Sequence, residues 1–115
     1  MAETTITATA MTAGTAIVVT AGIGTAINTS NTMHIAYPKN HKVIIYVDSN
    51  HASTSASFAA GDGVSKDLGA FTWAVGDTVA AMMVLDSDRL VDSDGELVIT
   101  WATDSAGFLA AWTLP

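Results

Sequence analysis

Lys42-Val43-Ile44-Ile45-Tyr46-Val47 runs straight into Asp48-Ser49-Asn50, and this stretch decides the fold class. Four of its residues are β-branched and one is aromatic. Such side chains suit a pleated, half-buried surface and lose rotamer freedom in a helix. The Asp-Ser-Asn cluster that follows is turn chemistry. A short extended run closed by a turn reads as a β-strand.

The same grammar recurs outward in both directions. Thr32 to Tyr37, Thr15 to Thr20 and Thr4 to Thr9 lie upstream; Thr78 to Leu85, Glu96 to Ala102 and Phe108 to Leu114 lie downstream. The spacing of about ten residues between runs fits a sandwich or barrel. Within Thr78 to Leu85, the apolar segment Val79 to Leu85 is enclosed by Gly76-Asp77 and Asp86-Ser87-Asp88, and reads as a buried strand. No window of a dozen residues holds apolar positions at helical spacing without Gly or turn residues interrupting it. The 20 Ala sit beside 16 Thr, which shifts the balance from helix to strand. The expected fold is all-β: a single-domain β-sandwich or barrel-like fold with an extended N-terminal arm. Residues 1–14 form the arm or first strand, and residues 15–115 the sandwich.

Composition narrows the function classes. The 115 residues carry four Lys+Arg against eleven Asp+Glu, a formal net charge of -7. That balance argues against a nucleic-acid partner, whose backbone is bound chiefly by clustered Lys and Arg. Without Cys there is neither a disulfide nor a thiolate metal site. Val79 to Leu85 is far shorter than the roughly 20 residues that span a bilayer, so no membrane segment is expected. Met1-Ala2-Glu3-Thr4 lacks the basic and apolar regions of a signal peptide, and synthesis without Sec export is the expectation.

The chemistry-bearing residues form weak patterns. Asp86, Asp88, Asp92, Asp94 and Glu96 crowd one segment, as a hard cation would require. With Gly95 in the invariant EF-hand glycine place, however, the first and last ligands would be Leu90 and Trp101. A hairpin turn at Asp94-Gly95 is the preferred reading. His34, His41 and His51 follow no zinc spacing. Gly22-Ile23-Gly24 puts Ile27 where a nucleotide loop needs its third glycine, and marks a bulge or tight bend. The serine-rich stretch Ser49 to Ser57 contains no nucleophile elbow and reads as an exposed edge strand or loop. No catalytic, metal or cofactor residues are assigned, and no enzyme is expected. Trp73, Trp101 and Trp112, with Tyr37 and Tyr46, offer an alternative as a sugar-stacking platform in a carbohydrate-binding or adhesion module, set against a role as core bulk.

The N-terminal segment is the most informative for partners. Thr4, Thr5, Ile6, Thr7, Ala8 and Thr9 are small, β-prone and uncharged. Such a segment either adds to another protein's sheet edge or pairs as strand one of its own domain. The two readings weigh nearly equally, and these six residues are the candidate partner-binding set.

Asp88-Arg89-Leu90-Val91-Asp92-Ser93-Asp94-Gly95-Glu96-Leu97-Val98-Ile99-Thr100-Trp101, followed by Phe108-Leu109-Ala110-Ala111-Trp112-Thr113-Leu114, resembles the C-terminal part of small tailed-phage capsid decoration (cement) proteins. The features shared are a Thr/Ala-rich start, an Asp-x-Asp-Gly turn, an alternating strand with Thr-Trp, and a last strand with Ala-Ala. Family members often carry a proline-rich segment before that turn; residues 74–81 here contain no Pro. The resemblance implies a β-rich structural protein of the virion. It would bind the major capsid protein on the outside of the head shell as a homo-oligomer, commonly a trimer, after synthesis in the host cytoplasm.

Overall fold

The computed structural model describes residues 3–19, 22–36, 42–59, 71–77, 79–85 and 95–114. Among these there are ten β-strands and no helix. They are β1 (Glu3–Ile6), β2 (Thr9–Ala10), β3 (Thr25–Ala26), β4 (Thr32–Ala36), β5 (Val43–Ser49), β6 (Ser55–Phe58), β7 (Phe71–Ala74), β8 (Ala80–Leu85), β9 (Glu96–Trp101) and β10 (Gly107–Thr113). One sheet has the order β1-β4-β9-β6-β7 and the other β2-β10-β5-β8, with β3 also on β10. The all-β, sandwich-like single domain expected from the sequence is what the chain forms.

Strand alternation explains the layering. Inward residues Met33, Ile35, Leu97, Ile99, Trp101 and Phe58 of the first sheet meet Val43, Ile45, Val47, Leu109 and Ala111 of the second in one buried cluster. Residues between them in sequence, such as Val98, Thr100 and Ser57, face outward, because successive side chains on a strand point to opposite sides. Among the described strands, β2 and β3, and β6 and β7, are successive strands of the same sheet, and all other successive strands lie in opposite sheets. Each sheet is therefore assembled largely from segments distant in sequence.

The N-terminal segment joins the two layers. β1 pairs in parallel with β4, placing Thr5 opposite His34 and Ile6 opposite Ile35. Three residues later β2 pairs in parallel with β10, Thr9 opposite Trp112. β3 takes the other half of the same β10 edge, Thr25 opposite Leu109.

Several local expectations are corrected. The run at 15–20 is not a strand over its described residues 15–19. The β10 edge beside it is already occupied by β2 and β3, and Val18 and Val19 are left exposed. The strand from Val43 continues through Asp48 to Ser49, whose buried hydroxyl donates to the Gly76 carbonyl at 2.6 Å. The serine-rich stretch is an exposed loop over Asn50 to Ser53 but nowhere an edge strand. Ser55–Phe58 forms β6, flanked by β7 and β9, with Ala56 and Phe58 in the core. Val79 to Leu85 contains a strand, but among the described residues it is an edge strand with an exposed face and not a buried one. β8 and β9 belong to different sheets, so the connection through Asp94-Gly95 is a crossing between layers and not a hairpin. Gly22 and Gly24 both have positive φ and make the expected bend.

Gly107 opens β10 at φ 135 with its Cα against the Asp48 carbonyl, where any Cβ would collide. Only glycine permits this approach of β10 to β5.

Candidate functional site

The predicted partner-binding residues form a continuous alternating stretch. Ile6 is buried among core residues and Ala8 packs against the same cluster. Thr4 is half-buried and accepts a hydrogen bond from Asn31 Nδ2 at 3.1 Å. Thr5, Thr7 and Thr9 are exposed. The segment thus serves as a strand of its own domain and at the same time presents three small hydroxyl side chains to solvent. Among the described residues, no strand pairs with the outer edge of β1.

A cleft of about 260 Å3 lies where this segment passes the β10 edge, lined by Thr5, Thr7, Thr9, Ile23, Thr25 and Trp112 among others. It is at or below the low end of ordinary small-molecule pockets and contains no ionisable side chain.

A polar cluster around His34 lies on the outer face of the first sheet. His34 Nδ1 lies 3.1 Å from Glu96 Oε1, and Nε2 lies 2.9 Å from Thr32 Oγ1 and 3.7 Å from Glu3 Oε1. A carboxylate only accepts, so Nδ1 donates to Glu96, and in the neutral ring Nε2 accepts from the Thr32 hydroxyl. The two glutamates approach opposite ring nitrogens and cannot share an ion with the imidazole. Among the described residues, no three His, Asp or Glu side chains converge as metal ligands do. His51 is exposed, and its Nδ1 accepts from the Ser53 amide at 3.0 Å. His41 and most of the acidic stretch, residues 86–94, lie outside the described residues.

The tryptophans do not assemble into a platform. Trp101 is buried in the core, with Nε1 2.9 Å from Met33 Sδ. Trp112 is buried on the other side of the second sheet, edge-on to Tyr46 at a centroid distance of 6.0 Å. Trp73, on β7, is partly buried against the core. Tyr37 lies outside the described residues.

The outer face of the second sheet is the feature that sequence reasoning missed. Tyr46, Ala110 and Trp112 form a second apolar cluster there, with Met11, Ile17, Ile23 and Ile44 packed on it. The segment after β2 folds back over β10 and β5. The cover does not reach β8, where Met82 and Val84 remain 58% and 53% exposed. The available signal was the alternation of Ile44 and Tyr46 with Val43, Ile45 and Val47, an apolar run on both faces that marks a strand covered on both sides. Among the described residues no helix is long and apolar enough to cross a membrane. Comparison with family models, curated proteins and solved structures finds no match.

Proposed function

We propose that this chain is a structural, non-enzymatic protein that decorates and stabilises the outside of a phage capsid. The observation that carries this reading is the alternation along residues 4–9. Ile6 and Ala8 anchor the segment in the core, while Thr5 on β1, Thr7 in the connection and Thr9 on β2 are exposed and uncharged where the segment passes from one sheet to the other. Short side chains lose little conformational entropy on docking, so exposed threonines suit a protein-binding surface. The C-terminal segments that resemble decoration proteins form β9 and β10, both interior to their sheets.

In this reading the major capsid protein is the partner, Thr5, Thr7 and Thr9 meet the shell, and a homotrimer multiplies weak contacts through avidity. The net charge of -7 limits clumping of decorated particles by mutual repulsion. The test is co-sedimentation of the purified protein with shells assembled from the major capsid protein of the same phage. Binding is expected to saturate at a fixed ratio, and a folded Thr5→Lys, Thr7→Lys, Thr9→Lys variant is expected to lose it. Failure of the unaltered protein to sediment with shells overturns the function. Equal saturation by the variant overturns the assigned surface.

A further inference from the structure

We infer that β8 is a docking edge for an extended segment of a different, basic protein chain. The inference goes beyond the virion reading and does not depend on it. β8 pairs with β5 along one side only, and among the described residues no strand pairs with its other side. The Ser49 amide donates to the Val79 carbonyl at 2.8 Å, which fixes the phase of the ladder. Val79, Ala81 and Met83 turn their peptide groups toward β5; Ala80, Met82 and Val84 turn theirs outward. Those same three residues have exposed side chains. Peptide donors and acceptors and an apolar side-chain row are therefore offered together, which is what an added strand requires.

Edge strands are ordinarily protected by Lys, Pro, a bulge or a covering segment. Residues 79–85 contain no charge and no Pro, and the segment that covers Tyr46 and Trp112 stops short of them. Charge selects the occupant. Asp48 stands opposite Ala80, Asp77 precedes the strand, and Asp86 follows Leu85 in sequence. Two copies joined edge to edge would bring together two chains that each carry -7. A foreign strand with an apolar middle and Lys or Arg at its ends matches both the row and its flanks.

The probe is a ten-residue peptide of alternating valine and threonine with two lysines at each end, compared with one ending in glutamates. Amide hydrogen exchange is read residue by residue on the full chain. In the free protein, Ala80, Met82 and Val84 are expected to exchange at least about tenfold faster than Ala81 and Met83. The lysine peptide at millimolar concentration is expected to slow those three amides at least about tenfold. Met82→Lys and Val84→Lys, both at exposed positions, are expected to keep the circular dichroism spectrum and abolish that protection. Slow exchange in the free protein means that its own chain covers the edge, and overturns the proposal. Protection that appears only on raising protein concentration identifies a second copy and overturns it too. So does equal protection by the glutamate peptide, or none by either.

Discussion

His34 donates from Nδ1 to Glu96 across 3.1 Å, linking β4 to β9 on the solvent side of the first sheet although His34 is only 6% exposed. Its other ring nitrogen is met by Thr32, so a buried polar ring is satisfied on both sides. Removing one partner of such a pair leaves the other desolvated and unpaired. Glu96→Ala is expected to lower unfolding stability by about 1–2 kcal/mol in urea, and Glu96→Gln, which keeps an acceptor, by less. Glu96→Ala unfolding at the same midpoint as the unaltered chain would show that the contact is not made in solution.

Gly107→Ala is expected to be among the most damaging single substitutions, at about 2–4 kcal/mol, because the new methyl meets the Asp48 carbonyl and φ is 135. Gly14 has a positive φ but open space around it. Gly14→Ala is expected to cost only about 1 kcal/mol, the backbone strain alone. Equal thermal shifts for the two variants would contradict the close approach of β10 to β5.

Ile6 sits in the core at 5% exposure. Ile6→Ala is expected to cost about 2–4 kcal/mol, while Thr5→Ala and Thr7→Ala stay within about 0.5 kcal/mol, as exposed positions do. Denaturant midpoints for the three variants decide this. The same geometry predicts that deleting residues 2–13 unfolds or strongly destabilises the domain, since β1 and β2 each complete a sheet.

Trp101 and Trp112 are at most 5% exposed, so iodide is expected to quench chiefly Trp73. Titration with soluble glycans is expected to leave the emission of all three unchanged. A glycan-induced shift that Trp73→Phe does not remove would restore the sugar-binding alternative.

The sequence was most legible where alternation and turn residues agreed. Val43 to Val47 and Glu96 to Trp101 each place apolar residues at every second position facing the core, and both are strands. Thr15 to Val19 has similar β-branched content, but the β10 edge is already taken by β2 and β3, and only Ile17 finds an apolar surface. Propensity records fitness for a pleated surface; it does not supply the neighbour. In Ser55-Ala56-Ser57-Phe58 the alternation was present, masked by serines that suggest a loop. The parallel pairings β1–β4 and β2–β10 left no local trace, because they join segments far apart in sequence. His34 illustrates the same limit at a site: its two partners are two and 62 residues away, and only the fold brings the second one in.

The central claim is that this sandwich acts by docking on a phage head and not by catalysing a reaction. If the chain is a phage protein, as proposed, electron cryo-microscopy of the virions produced from the genome that carries its gene tests this most directly. The account predicts two-sheet density on the outer shell surface, with the β1–β2 segment against the major capsid protein. Virions whose exterior lacks that density, while the chain is present in the infected cell, would contradict it.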